Sequence, residues 1–306
     1  MSIKRFLVLA GLLSVYAPVV FGEAHCPGSA TSVPLRLIQN ALFVTSINVN
    51  GTGPYDFLVD TGAQVNTIDD ALATALHLAP ESSVGVSGAA TYSRTALVRV
   101  DLAAVRKTVT ASQTVVVPAA QLRAIDPHLR GILGGTFLEH FDLLLDNQNR
   151  VLCLDDSETM SSSLKGQRIA LVDPIAPQQA PAPFTRPLVV SASLSAFDKP
   201  MILMLDSGSN SPFLFADHAH LQPAASKPNR ILKRYVGGVE QDFLTLPPQE
   251  VRINKTIVRE IQFVMPMNSI GGNGVAFEED GVLPTIAYRR VFISPSKGYV
   301  LLDPWN

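Results

Sequence analysis

Two short stretches of this sequence share one arrangement of residue types. FLVDTG runs from Phe57 to Gly62 and LMLDSG from Leu203 to Gly208, so Asp60 and Asp206 each follow three apolar residues and precede a small hydroxyl residue and a glycine. An apolar run of this kind reads as a buried strand, and Gly lets the chain turn sharply or another backbone come close. A carboxylate at such a strand end is costly unless it is hydrogen-bonded or used. If the two turns meet, carboxyl groups that close together cannot both ionise easily, so they share a proton and titrate as a pair. One is then a base and the other an acid at the same pH. Such a pair can hold a water, deprotonate it as it attacks an amide carbonyl and protonate the leaving nitrogen, with neither metal nor covalent intermediate.

The elements that must position the two acids repeat along the chain. LFVTSINV (Leu42–Val49) aligns with LVVSASLS (Leu188–Ser195) at an offset of 146, the separation of Asp60 and Asp206. VVVP (Val115–Pro118) aligns with FVMP (Phe263–Pro266) at 148, and GILGGTFLEHF (Gly131–Phe141) with GVLPTIAYRRV (Gly281–Val291) at 150. VLCLD (Val151–Asp155) meets YVLLD (Tyr299–Asp303). So small a drift implies two copies of one folded unit. Short Val-, Leu- and Ile-rich segments punctuated by Gly, Pro and Asn make the class mainly β. Helical periodicity is clear only in DDALATALHL, Asp69–Leu78, where the acids are expected to start the helix. The expected division is a signal peptide over 1–24, a first lobe over 30–156, a polar Ser-rich linker over 157–166 and a second lobe over 167–306. The Pro-rich DPIAPQQAPAPFTRP, which ends at Pro187, reads as an extended surface insertion in the second lobe.

The residues quoted above resemble those of the aspartic peptidases. FLVDTGAQVNTIDDALATALHL followed by GILGGTFLEHFDLLLDNQNRVLCL is similar to the retropepsin-like unit, matching across Val33–Asp155 and more loosely across Gly166–Asp303. The resemblance implies a bilobal acid-protease fold of two pseudo-symmetric closed β-barrel lobes with few short helices. It also implies that Asp60 and Asp206 form the catalytic pair, that Thr61 and Ser207 cross-brace the two turns through their hydroxyls, and that Gly62 and Gly208 shape those turns. With both halves in one chain, as in pepsins, the protein is expected to act as a monomer on a peptide or protein substrate without a cofactor or metal. A noncatalytic peptide- or polymer-binding module of the same fold is the alternative. The flaps are expected at Gly85, Gly88 and Tyr92 in the first copy, and at Tyr235, Gly237 and Gly238 in the second. The second copy departs from the pattern in having Pro284 where the first has Gly134. It also carries Ser209 where the first has Ala63, and a hydroxyl there is placed to donate to Asp206, favouring its charged form and leaving the shared proton on Asp60.

Composition narrows the partners. The chain has 306 residues with 47% apolar and 16% charged, enough to bury a sizeable core in two domains, and its net charge of −2 without a basic run argues against nucleic acid. Lys4 and Arg5 before an apolar run ending at Phe21, with Gly22 and Ala24 following, have the layout of a secretory signal. The expected location is secreted or periplasmic, with no stable membrane insertion after cleavage. Cys26 and Cys153 can then pair, or stand as one buried and one mobile thiol. Asn50 and Asn254 fit the glycan acceptor pattern. Asp217, His218 and His220 lack a convincing further set of metal ligands, His140 lacks a second histidine, and Ser161–Ser163 lack a nucleophile turn. Asp142, Asp146, Asp155 and Asp303 near strand ends are expected to cap or bond nearby backbone.

Overall fold

The computed structural model describes residues 25–87, 92–172, 184–215, 230–236, 239–266 and 279–305. The expected signal peptide over 1–24 lies outside them, as do Gly88, Gly237, Gly238 and the Asp217–His220 group. Among the described residues no helix is long and apolar enough to cross a membrane.

The fold is mainly β, in three sheets. In the first half the sheet runs in the order Arg36–Ile38, Leu42–Val49, Thr52–Val59, Leu129–Leu133, Asn66–Asp69, Lys107–Val117, Tyr92–Ala104 and Ser82–Ser87. In the second half the order Val189–Leu194, Met201–Asp206, Gly281–Pro284, Phe213–Leu214, Val264–Pro266, Val239–Thr245 and Arg230–Val236 matches it strand for strand from Leu42–Val49 onward. Directions match as well. The strand that leads into each Asp pairs in parallel with the Gly-containing strand, Thr52–Val59 with Leu129–Leu133 and Met201–Asp206 with Gly281–Pro284. The strand after each turn then pairs antiparallel to that same Gly-containing strand.

Each sheet also curls back on itself. The long strand Tyr92–Ala104 reaches Leu42–Val49 through Asn48 opposite Ala103 and Val49 opposite Leu102. In the second half Pro247 and Pro248 cannot donate to a ladder, and there the equivalent strand is split into Val239–Thr245 and Gln249–Ile253. The Gln249–Ile253 piece closes on Val189–Leu194, with Ser193 opposite Arg252.

A third sheet joins the halves. Its order is Thr31–Pro34, Val151–Leu154, Leu143–Asp146, Tyr288–Ser294, Tyr299–Pro304 and Ile169–Ala170, and Leu143–Asp146 pairs directly with Tyr288–Ser294. One apolar core runs through both halves and includes Phe57, Val59, Leu133 and Phe137 together with Leu203, Leu205, Leu283 and Tyr288. The two turns are thus held against one another by continuous packing and by shared strands.

Local rules account for the short helices. Asp69 caps Asp70–Ala75 by accepting from the Leu72 N–H at 2.6 Å, while Asp70 accepts from the Ala119 N–H at 3.0 Å. A short helix, Ser157–Ser162, occupies the stretch read as linker, because Asp156 accepts from the Thr159 N–H and binds both the N–H and hydroxyl of Ser29. Those bonds hold the Asp156 carboxyl down at about 2. Of the four strand-end aspartates, Asp146 bonds nearby backbone through the Asn149 N–H at 2.9 Å. Asp303 instead accepts from Arg289 and Arg290, Asp155 pairs with Lys107, and Asp142 lies 3.8 Å from Lys297.

Cys26 and Cys153 form a disulfide, with their Cα atoms 5.6 Å apart, which fastens the start of the described chain to Val151–Leu154 in the joining sheet. It closes a loop across 127 residues. Closing a loop that long constrains the unfolded chain strongly, so replacing both cysteines with Ser is expected to cost about 3–5 kcal/mol of stability. Urea unfolding of the double variant against the oxidised protein checks this.

Candidate active site

Each Asp ends a strand whose neighbours lie on both sides. Phe57, Leu58 and Val59 are all buried, because Leu42–Val49 and Leu129–Leu133 flank them and the core covers both faces. In the second half only Met201, Leu203 and Leu205 are fully buried, the two-residue alternation of a strand with one covered face. Asp60 donates its backbone N–H to the Leu133 carbonyl at 3.1 Å, which fixes where the first turn begins.

The turns meet across the junction of the halves and lock reciprocally. The Thr61 hydroxyl donates to the Leu205 carbonyl at 2.8 Å and accepts from the Ser207 N–H at 3.0 Å. The Ser207 hydroxyl donates to the Val59 carbonyl at 2.8 Å and accepts from the Thr61 N–H at 3.0 Å. Both residues are buried, so these four bonds are shielded from competing water.

That lock sets each acid against the other turn, the Asp60 carboxyl beside Gly208 and the Asp206 carboxyl beside Gly62. Asp60 Oδ1 also accepts from the N–H groups of Gly62 at 2.9 Å and Ala63 at 3.0 Å, and Asp206 Oδ1 from the Gly208 N–H at 2.6 Å. Both residues keep part of their surface open to solvent. Burial of the carboxyl groups raises both above the ordinary value of 3.8. Asp206 is raised well above it, since the charge of Asp60 adds to the effect of burial.

The serine at 209 does something other than expected. Its hydroxyl donates to the Ser211 carbonyl at 2.8 Å, two residues on, and is thereby withdrawn from the Asp206 carboxylate. Its backbone N–H, available from any residue at that position, bonds Asp206 instead.

Gly62 and Gly208 are needed for close approach. A Cβ on Gly208 would lie 2.3 Å from Asp60 Cγ, and one on Gly62 would lie 2.6 Å from Asp206 Cγ. Each turn's glycine therefore faces the other turn's acid. The Pro284 departure also has a physical reason. Gly134 donates its N–H to Asn66 Oδ1 at 2.8 Å, whereas Pro284 has no N–H and the residue equivalent to Asn66 is Pro212. Donor and acceptor are lost together, so nothing is left unpaired there. The fully buried Asn66, whose amide side chain donates to the Ser112 hydroxyl and whose backbone N–H donates to the Thr136 hydroxyl, is not legible in the sequence because an isolated Asn carries no periodic signal.

Of the expected flap positions, Gly85, Tyr92 and Tyr235 lie on antiparallel strand pairs. Gly85 lies opposite Arg94 and Ser87 opposite Tyr92 in one, and Tyr235 lies opposite Glu240 and Val236 opposite Val239 in the other. These strand pairs occupy equivalent places at the ends of the matching strand orders. Among the described residues no cluster of three or more metal-ligating side chains occurs.

Residues 45–137, which contain the Asp60 turn, the helix and the Gly134 segment, match the family described as aspartyl protease. A comparison with curated proteins finds no match. The aspartyl protease match stops short of the second half and so does not include Asp206.

Proposed function

We infer that the protein is an aspartic endopeptidase in which Asp60 and Asp206 are the catalytic pair, and that its two halves are fused copies of one unit, meeting at the pair. The observation that carries this reading is the reciprocal Thr61 and Ser207 lock, which sets each acid against the other turn's glycine, supported by the aspartyl protease match of residues 45–137. A water held between the acids loses a proton to the ionised carboxylate as its oxygen attacks the amide carbon. The protonated acid gives its proton to the carbonyl oxygen. The tetrahedral species then collapses as the first acid hands its acquired proton to the leaving nitrogen, the C–N bond breaks, and the second acid takes back a proton from one of the two hydroxyls as the new carboxyl group forms, which restores the starting pair. The neighbouring N–H donors hold both carboxyls through these steps, and no cofactor is needed.

An extended peptide fits this site as an added strand beneath the strand pairs that bear Gly85 and Tyr235. The Cys26–Cys153 disulfide favours an oxidising compartment, in keeping with secretion or a periplasmic location. Both halves of the site lie in one chain, which favours an active monomer.

Digestion of a peptide mixture across pH, with and without a pepstatin-type inhibitor, tests this function. Cleavage is expected to be inhibited and to have both limbs of its pH profile displaced above the ordinary carboxylate value of 3.8. Binding without cleavage at any pH would contradict it. Stability follows the same shifts. A folded-state value raised above the unfolded one means that the folded protein retains protons the unfolded chain gives up. The resulting contribution is complete below about 3.8 and lost as pH rises through the raised values. Replacing both acids, as Asp60→Asn with Asp206→Asn, should remove that slope in pH-dependent urea unfolding.

A further inference from the structure

We propose that Thr185, at the end of the Pro-rich stretch of the second half, is a positioning residue for the catalytic turn of the first half. This rests on the reading of Asp60 and Asp206 as the catalytic pair. Thr185 donates both its backbone N–H, at 3.0 Å, and its hydroxyl, at 2.9 Å, to the carbonyl of Gln64, four residues beyond Asp60. The preceding carbonyl, of Ala63, is held by the Gly135 N–H at 2.7 Å. Ala63 in turn donates its own N–H to Asp60 Oδ1 at 3.0 Å. Thr185 therefore ties down the peptide that follows a direct donor to the acid, and it does so from the other half of the molecule. Phe184 anchors the brace by packing against the cluster of Val65, Leu97 and Val115.

The contact has a counterpart. Thr185 and Gln39 are offset by 146 residues, as are Asn210 and Gln64, and Gln39 Oε1 accepts from Asn210 Nδ2 at 3.2 Å. Each half thus sends the residue just before its first long strand to the position four residues past the other half's acid. The two braces differ in strength. Gln39 and Asn210 are exposed, and a single bond between exposed amides competes with water, whereas Thr185 makes two bonds to a half-buried turn. Gln39 also spends its amide N–H on the Ile125 carbonyl at 2.7 Å, so it belongs as much to its own half.

Thr185 lies on the wall of two surface cavities, of about 460 and 660 Å³, so replacing it leaves the core intact. Its hydroxyl sits against Gly135, where a side chain on Gly135 would collide with it. Val is the same shape and lacks the donor, so Thr185→Val isolates the hydroxyl bond. The variant is expected to lower kcat about tenfold, which corresponds to ~1.4 kcal/mol, with KM within about twofold of wild type. Amide hydrogen exchange of a peptide covering the Asp60 turn should rise by a similar factor. Thr185→Ser should restore both, and Gln39→Ala should change each less than threefold.

The proposal is overturned if Thr185→Val keeps wild-type kcat and exchange, if Thr185→Ser is as impaired as Thr185→Val, or if KM alone rises. A lowered melting temperature with kcat unchanged would also overturn it, because that is what a purely structural contact gives. Should the wild-type protein cleave no peptide, the catalytic reading fails, while the exchange measurement still decides whether the brace holds the turn.

Discussion

Asp60→Asn and Asp206→Asn are each expected to lower peptide cleavage by at least about 10³-fold while leaving the fold intact. The magnitude follows from the chemistry, since either substitution removes one of two groups that must exchange protons with the same water, and acid–base groups contribute about 10² to 10⁴ each. Asn keeps the size of Asp and can still accept from the turn N–H groups through its carbonyl oxygen. Burial disfavours the charged form of both acids, so a neutral amide relieves that cost. Melting temperature above the ordinary carboxylate range should therefore hold steady or rise as activity disappears. Activity and thermal unfolding measured on the same samples check the pair of outcomes, and a variant that loses both together would indicate a scaffold role for the acids.

Gly208→Ala is expected to have the next largest effect. Its Cβ would lie 2.3 to 2.5 Å from the carboxyl atoms of Asp60, well inside van der Waals contact, and what it meets is one of the two acids proposed to react. The acid must move by about 1 Å or the turns must separate, and a displacement of that size at a reacting centre costs on the order of 10²-fold. Crowding of this kind also destabilises by about 1–3 kcal/mol. Gly62→Ala is expected to be milder, because its contacts with Asp206 are 2.6 to 2.8 Å. Since neither glycine adopts a left-handed backbone, the order of the two defects should follow these distances, which steady-state kinetics on both variants will show.

Much of this arrangement was readable from residue types. Asp60 and Asp206 stood out because an apolar run, an acid, a hydroxyl residue and a glycine occur twice at equivalent places, and the matching pairing of Thr52–Val59 and Met201–Asp206 with their Gly-containing strands follows that equivalence. The bracing by Thr61 and Ser207 followed from the family resemblance and needed only that the turns face each other. What escaped depends on contacts that no local pattern records. The pairing of Leu143–Asp146 with Tyr288–Ser294 joins segments that read as ordinary apolar strands in either half. Thr185 sits in a Pro-rich stretch whose composition says extended and exposed, and only the folded chain brings it to Gln64. Ser209 shows a different limit: a hydroxyl beside both a carboxylate and a nearby carbonyl can satisfy either, and the turn's own geometry selected Ser211. The Cys26–Cys153 bridge likewise required knowing that Thr31–Pro34 returns beside Val151–Leu154.

The most direct test of the central claim is a double-mutant cycle on cleavage of one peptide by the wild type, Asp60→Asn, Asp206→Asn and the double variant. Two acids acting on one water through one proton form a single unit, so the double variant should be no slower than the worse single variant. Losses that multiply, or a single variant that retains wild-type turnover, would contradict the account.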